Sequence, residues 1–393
     1  MRFVFAAASL LALAACGLNG TDRYKDDNKS AAKPAATGLS DTMASHDNGE
    51  QAVPQIPDSE PRPTMQAQVV LDRQGFGPGV VDGAMGMSTQ NALRGFQEAN
   101  GLDTTGKLDE ATKAKLAQWN SIPATRVVRV PQEWGSLSYV KTPDDPAEQA
   151  ALPQLGYQSL DEKLAERFHT TVDVLKMLNP GGRPAGMKPE AMRSPVATPT
   201  PTPSATASDA PPASVFSAGQ LIRVPNIGAD QIASGSVDDA DWQATLQSLG
   251  VGSEQPKVDK IVVSKGKGTL KAYDKAGKLV AEFTVTSGSS HDPLPLGDWK
   301  VTGVSHNPSF SYDPNLFWDV PDDKAKQHLP PGPNGPVGVV WIDLSKEHYG
   351  IHGTPEPQLI GRSQSHGCVR LTNWDAARLA QMVSSGTKVV FEK

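Results

Sequence analysis

Hydrophobic positions along this 393-residue chain fall into regions of different spacing. An apolar run over residues 3–14 opens the chain, and residues 17–63 are polar without any apolar period. Residues 64–120 carry apolar side chains at helical spacing, interrupted by glycines, which predicts three short helices. From residue 257 onward, short apolar runs are separated by turn residues. This pattern predicts strands, with one helix beginning after Thr372.

The region 126–227 combines both patterns. A short apolar run lies at each of its ends, and helical spacing over residues 159–167 and 171–178 predicts two helices between them. Residues 189–213 are rich in proline, serine, threonine and alanine, a composition typical of a disordered or extended insert. We expect His169, in the turn between the two helices, to be a solvated surface residue.

A polar connector, 228–256, with one short predicted helix, leads into the C-terminal region 257–393. Many short strands and one covering helix favour a closed or sandwiched β-domain there. The predicted fold class is multidomain: this β-rich domain is preceded by a small three-helix domain and an α+β module, and disordered linkers join them. The predicted boundaries are 1–16 for an export signal, 17–63 for a disordered tether, 64–120 for the helical domain, 126–227 for the α+β module and 257–393 for the β-domain.

The composition fits compact β-rich domains joined by linkers, because 33 prolines and 36 glycines are many for this length. The formal net charge of −6 is mild, and no basic stripe is visible, which argues against a nucleic-acid partner. Beyond residue 16, no apolar run approaches the roughly 18 residues that a membrane-spanning helix needs.

The chain has two cysteines, and only Cys368 lies in a predicted domain, since Cys16 follows the apolar run at the start. A thiolate is the reactive form of cysteine, and a neighbouring imidazole is the usual means of generating one at neutral pH. Two histidines, His352 and His366, lie near Cys368 in the sequence. The segment therefore predicts a thiol nucleophile activated by histidine.

Strand geometry distinguishes the two histidines. Residues two apart in a strand point the same way, so His366 shares a face with Cys368 but bends back onto the sulfur with difficulty. His352, at the end of a neighbouring predicted strand, can approach the sulfur and is preferred as the base, with His366 as an orienting or substrate-binding group. Gly367 allows a turn that directs backbone N–H groups at a developing oxyanion. Arg370 suits a substrate carboxylate or a structural ion pair.

One motif resembles the signature of the YkuD-type L,D-transpeptidases: His352-Gly353, a loop of about a dozen residues, then Ser365-His366-Gly367-Cys368 and Arg370-Leu371. This resemblance implies that Cys368 attacks a peptidoglycan stem tetrapeptide between the L-centre of meso-diaminopimelate and terminal D-Ala, which leaves. A side-chain amine of a second stem then takes the acyl group and forms a 3→3 cross-link. The resemblance also implies that His352 accepts and donates the proton while the Gly353 carbonyl holds its other ring nitrogen.

Candidate substrate-binding residues come from the motif and from a loop upstream of it. Ser365 and Arg370 belong to the motif. The loop 307–333 carries Tyr312 and Trp318 between prolines, and we interpret it as a lid or wall over the thiol. A surface loop packed on its own aromatics is the alternative. The resemblance implies no cofactor and no metal.

Three other segments resemble parts of bacterial envelope proteins. Residues 64–120 resemble a small peptidoglycan-binding module, and residues 126–227 resemble a LysM glycan-binding module split by an insert, with a structural spacer as the alternative. The segment Leu13-Ala14-Ala15-Cys16 resembles a lipobox, which implies lipidation of Cys16 and a membrane anchor. Because Gly17 follows rather than aspartate, the resemblance favours the outer membrane, with the domains on the periplasmic side.

Several alternatives stay open. Water could resolve the acyl-enzyme, which would give an L,D-carboxypeptidase, and the acyl acceptor could be a lysine of an outer-membrane protein or a free D-amino acid. Two more distant hypotheses are a non-catalytic wall-binding protein and a zinc hydrolase with His352, His366 and Cys368 as ligands.

Overall fold

The computed structural model describes residues 53–188, 212–228, 236–316 and 325–393. The predicted export signal, the lipidation site Cys16, and most of the predicted tether and insert lie outside these ranges. Within the ranges described, no helix combines the length and the apolar character that crossing a membrane requires.

The N-terminal helical module contains helices α1 (Pro63–Arg73), α2 (Met87–Ala99) and α3 (Glu110–Leu116), with a two-residue strand β1 (Phe76–Gly77) after α1. The buried faces of the helices meet in a small apolar core. Asp109 begins α3, because its carboxylate accepts the backbone N–H of Thr112. The predicted three-helix arrangement is confirmed.

The middle module, residues 125–227, is held together by strands β2 (Thr125–Arg129) and β3 (Leu221–Pro225), which pair antiparallel. Helices α4 (Pro146–Ala150), α5 (Leu160–Arg167) and α6 (Val172–Leu178) lie between them in the sequence. Ser159 and Thr171 cap α5 and α6 through their hydroxyls. Both predicted helices are therefore present, within one residue of the expected bounds.

His169, in the turn between α5 and α6, is fully buried, so the prediction of a solvated residue is wrong. Its Nδ1 lies 3.2 Å from the carboxylate of Asp72 in α1, and its Nε2 lies 2.9 Å from the carbonyl oxygen of Leu249. The turn looked exposed in sequence because its neighbours from other modules are distant along the chain.

The C-terminal domain is preceded by helix α7 (Ala240–Leu249) and contains one further long helix, α8 (Asn373–Met382). Its strands are β4 (Lys260–Ser264), β5 (Thr269–Tyr273), β6 (Leu279–Thr284), β7 (Thr286–Ser287), β8 (Gly297–His306), β9 (Phe310–Tyr312), β10 (Gln327–Leu329), β11 (Val340–Leu344), β12 (Gly350–His352), β13 (Val369–Arg370) and β14 (Lys388–Glu392). Strands β9 and β10 form a separate antiparallel hairpin.

The main sheet has the order β1-β6-β5-β4-β14-β8-β11-β12-β13-β7. Its long strand β8 pairs with β14 through its first residues and with β11 through its later ones. Apolar residues from the strands on either side of β8 form one core together with apolar residues of α7 and α8. The predicted β-rich domain with a covering helix is confirmed.

Strand β1 of the helical module pairs parallel with β6, with Phe76 opposite Glu282 and Gly77 opposite Phe283. The helical module therefore contributes an edge strand to the main sheet, a contact that the sequence did not predict. The three modules, predicted as separate units, pack directly against one another in the described residues.

Candidate active site

Two neighbouring strands bring His352 and Cys368 together. Strands β12 and β13 run parallel, with Ile351 opposite Val369 and His352 opposite Arg370. Ile351 and Val369 are buried in the core. Because successive side chains in a strand point to opposite faces, His352 and Arg370 lie on the other face, and Cys368, two residues before Arg370, continues that face. The pattern of core and outer positions thus predicts that the thiol and the imidazole share one face of the sheet, and the Sγ of Cys368 lies 3.9 Å from the carbonyl oxygen of His348.

The His352 ring is held in one orientation. Its Nδ1 donates a hydrogen bond of 2.7 Å to the carbonyl oxygen of Gly353, so in the neutral ring Nε2 carries the lone pair. The ring stacks on Trp341 of β11, with centroids 5.5 Å apart and an interplanar angle of 20°. Burial, together with the charge of Arg370, lowers the pKa of His352 to about 3. The imidazole is therefore neutral at pH 7.

Gly353 has a close neighbour that explains the glycine. A Cβ at this position would collide with Oδ1 of Asn373, the first residue of α8. The Gly353 N–H donates to the carbonyl of Val340 at 3.3 Å. Thr372 fixes the start of α8 by accepting the backbone N–H of Asp375. The residue whose carbonyl orients His352 thus lies close to the start of α8.

The Cys368 thiol is half-buried, and burial raises its pKa. The backbone N–H of Gly350 and the charge of Arg370 act in the opposite direction without reversing the shift. The sequence predicts that a neighbouring imidazole lowers the pKa of this thiol. In the structure the imidazole is itself desolvated and close to a cation, so it stays neutral and supplies no charge to stabilise a thiolate. The resting pair is a thiol and a neutral imidazole.

Ser365 is buried and supports the loop that carries the nucleophile. Its hydroxyl donates to the carbonyl oxygen of Cys368 at 2.6 Å and accepts the backbone N–H of Gly288 at 2.6 Å. Both interactions are made within the protein. These hydrogen bonds give Ser365 a structural role in the loop, and the substrate contact expected from the motif stays a prediction.

Gly367 adopts a left-handed backbone conformation, with φ of +95°, directly before the nucleophile. A Cβ there would lie 2.6 Å from the ring of Tyr349, so the tyrosine covers this turn. Burial raises the pKa of Tyr349, and negative charge on Cys368 would raise it further. Sequence reasoning did not identify Tyr349 as a site residue. Its only signal was an aromatic position directly ahead of β12.

The remaining predicted site residues have different positions. His366 and Arg370 flank the Gly367-Cys368 turn and are half-buried, and the Arg370 guanidinium donates to the Gln364 carbonyl at 3.4 Å. Tyr312 is half-buried in β9, opposite Gln327 of β10. Trp318 lies outside the described residues, so the lid over the thiol stays a prediction. Among the side chains that the structure does describe, no three His, Cys, Asp or Glu residues could together hold a metal ion.

Residues 259–391 match the family model of the YkuD L,D-transpeptidase catalytic domain. The chain carries an L,D-transpeptidase catalytic domain. Residues 63–116 match the model of a peptidoglycan-binding domain, which this chain therefore also contains. The two matches coincide with the β-rich domain and with the helical module that contributes β1.

Relatives of the L,D-transpeptidase domain occur in several bacteria. YkuD of Bacillus licheniformis is 32% identical over 130 residues, covering 33% of this chain and 63% of that protein. YbiS of Escherichia coli is 43% identical over 135 residues, covering 33% and 44% respectively. Both are named as L,D-transpeptidases, and this chain spans less than two thirds of their lengths. A solved L,D-transpeptidase from Mycobacterium smegmatis aligns with 34% of this chain and 58% of its own, at 20% identity and a TM-score of 0.28.

Proposed function

We propose that this protein is a peptidoglycan L,D-transpeptidase with Cys368 as its nucleophile. The observation that supports the proposal is that His352 and Arg370 lie opposite each other on adjacent strands, with Cys368 two residues before Arg370, and that Nδ1 of His352 donates to the Gly353 carbonyl, which leaves the Nε2 lone pair available as a base. The YkuD domain match supports the reaction class, and the peptidoglycan-binding domain supports peptidoglycan as the partner.

In the first half-reaction the sulfur of Cys368 attacks the carbonyl carbon at the L-centre of meso-diaminopimelate while Nε2 of His352 takes the thiol proton. The N–H groups of Gly367 and Cys368 stabilise the oxyanion of the tetrahedral intermediate. His352 then gives the proton to the nitrogen of D-Ala, the C–N bond breaks, and a thioester to Cys368 remains. Arg370 binds a substrate carboxylate near the thiol.

In the second half-reaction the side-chain amine of another stem attacks the thioester carbonyl. His352 takes a proton from that amine, and the C–S bond breaks as the amide forms. The sulfur of Cys368 recovers the proton from His352, which restores the neutral pair. The product is a 3→3 cross-link between two stems.

The location belongs to the same proposal and rests on the sequence. Lipidation of Cys16 would anchor the protein in a membrane, with the outer membrane favoured by Gly17. The residues between this anchor and the helical module would then set how far the domains reach toward the peptidoglycan. Whether the middle module binds glycan, as a LysM module would, stays a prediction.

Mass spectrometry of muropeptides tests the proposed reaction. We expect the full-length protein, incubated with disaccharide tetrapeptides, to release D-Ala and to form a 3→3 cross-linked dimer. Cys368→Ala should form none, because it lacks the nucleophile. Ser363→Ala, an exposed hydroxyl in the same loop, serves as the matched control and should keep full activity.

The product pattern separates the alternatives. Tripeptides without dimers would contradict transpeptidation and indicate an L,D-carboxypeptidase. Intact tetrapeptides would contradict catalysis altogether and favour the non-catalytic hypothesis. Dimers that persist in Cys368→Ala would show that another group performs the reaction.

A further inference from the structure

The middle module reaches the rear of the active site through helix α5. Glu166, on α5, is buried, and its Oε1 accepts a 2.7 Å hydrogen bond from Nδ2 of Asn373 at the start of α8. This contact joins a module without proposed catalytic residues to the domain that carries the thiol. Burial raises the pKa of Glu166 to about 7, because the charged carboxylate is unfavourable in this desolvated position.

Asn373 connects several parts of the site through one amide. Its Nδ2 also donates to the Pro333 carbonyl at 3.1 Å, and its Oδ1 accepts the backbone N–H of Val339 at 3.3 Å. A Cβ at Gly353 would collide with the same Oδ1, so the amide limits the space at Gly353, whose carbonyl accepts the hydrogen bond from Nδ1 of His352. If the amide rotated by half a turn, a nitrogen would face the Val339 N–H and that hydrogen bond would be lost.

A second contact fixes the chain on the other side of Asn373. The N–H of Leu155 donates to the Pro331 carbonyl at 2.9 Å, and the N–H of Asn334 donates to the Leu155 carbonyl at 3.0 Å. The Asn334 side chain also donates to Glu162 of α5 at 3.1 Å. The middle module thus holds the segment around Pro333, which is itself a partner of Asn373.

We propose that Glu166 is a positioning residue that fixes the Asn373 amide next to Gly353. The Gly353 carbonyl then stays in place to accept the hydrogen bond from Nδ1 of His352, and Nε2 of His352 stays unprotonated. The inference rests on the proposed function and deepens it. It gives the middle module the role of an intramolecular brace for the catalytic base, independent of any glycan binding. A carboxyl on one module would then set the tautomer of an imidazole on another.

The test uses the full-length protein and two readouts. The first is ¹⁵N NMR of the His352 imidazole, which reports the tautomer without substrate. The second is steady-state kinetics of dimer formation. In Glu166→Ala we expect a mixture of both tautomers in place of one and a kcat reduced about tenfold with KM within about twofold, because the base is misplaced while substrate binding is not. Asp173→Ala removes an exposed carboxylate from the same module and should match the wild type.

Glu166→Gln keeps an acceptor for Nδ2 of Asn373 and should restore the single tautomer and the kcat. Glu166→Met, similar in volume but without a hydrogen-bond acceptor, replaces the alanine variant if that variant does not fold. An unchanged His352 tautomer with an unchanged kcat, in a folded variant with a lower melting temperature, would show that Glu166 acts on stability alone. If the wild type formed no dimer, the proposed function would fail, while the NMR comparison would still decide the role of Glu166.

Discussion

At the residue scale, Arg370 acts on both reacting groups. Its positive charge lowers the pKa of the Cys368 thiol and of the His352 imidazole alike. Burial raises the pKa of the thiol and lowers that of the imidazole, so it favours the neutral form of both. Both groups are therefore neutral in the free protein, and in the proposed mechanism the proton would move during the attack on the substrate.

Alkylation of Cys368 by iodoacetamide as a function of pH tests this state. We expect the rate in the wild type to rise through pH 8.5 without a plateau near neutrality, because the thiolate forms only above the unperturbed pKa of about 8.5. Arg370→Ala should shift the profile to higher pH and raise the pKa of His352 measured by NMR, since removal of a cation favours the imidazolium and disfavours the thiolate. The exposed Arg362→Ala is the control. A plateau near pH 7 in the wild type would contradict the neutral pair.

At this scale the sequence predicts Cys368 and His352 as the reacting pair, and that assignment stays a prediction; the residues that support the pair were not predicted. The two-residue period of strands distinguished His352 from His366, because that argument needs only local geometry. It could not show whether the Ser365 hydroxyl faces solvent or the protein. Tyr349 was not predicted because its role depends on its contact with the turn at Gly367. Asn373 was not predicted because its role depends on where helix α8 begins relative to Gly353.

At the element scale, the helices were easier to predict than the contacts between modules. Capping residues such as Asp109 and Thr372 stand next to the helices that they begin, so their signal is local. Strand β1 has only two residues and no alternation to detect, and its partner β6 follows about 200 residues later. Pairing at that distance depends on the packed molecule.

Helix α2 lies close against β6, and Gly95 makes the approach possible. A Cβ at Gly95 would collide with the side chain of Glu282 in β6. Next to this contact, Glu98 of α2 forms an ion pair with Lys271 of β5. Burial raises the pKa of Glu282 to about 7, which shows how closely the helix covers the strand.

Gly95→Leu should separate α2 from β6. We expect the free energy of unfolding, measured in urea, to fall by about 2 kcal/mol, because the added side chain has no space at this interface. Ala114→Leu adds a comparable side chain at an exposed position of α3 and should change it by less than about 0.5 kcal/mol. Equal stability of the two variants would contradict close packing between helix and sheet.

At the scale of the whole molecule, one buried ion pair joins the helical module to the catalytic domain. Arg378 of α8 donates to both carboxylate oxygens of Asp72 in α1, at 2.9 Å and 2.7 Å. His169 of the middle module contacts the same carboxylate and stacks on Trp374 of α8, with ring centroids 4.8 Å apart. All three modules therefore meet at Asp72.

Asp72→Asn should weaken the whole assembly. Burial alone would raise the pKa of Asp72, but Arg378 and His169 outweigh it and hold that pKa well below its usual range. The stabilisation is therefore present above the unfolded-state pKa of about 3.9 and is lost as the pH falls toward the folded-state value. We expect the variant to lose about 3 kcal/mol of unfolding free energy at pH 7, because Arg378 is left buried without its main anionic partner.

Urea unfolding at several pH values measures this effect. The difference in unfolding free energy between wild type and Asp72→Asn should shrink as the pH falls below about 4, because the ionised Asp72 then contributes less to the stability of the wild type. Asp173→Asn, at an exposed site, should show no such difference. If the difference in unfolding free energy did not change with pH, the ionised carboxylate of Asp72 would not be the cause of the stabilisation.

The short strand β1 also has a consequence for association between molecules. The main sheet ends in β1 on one side and in β7 on the other, each only two residues long. Short edge strands offer few unpaired backbone groups to a second chain. Without the helical module, the six residues of β6 would form an open edge on which identical molecules could pair. The module that matches a peptidoglycan-binding family thus covers part of this edge, because β1 pairs with Glu282 and Phe283 of β6.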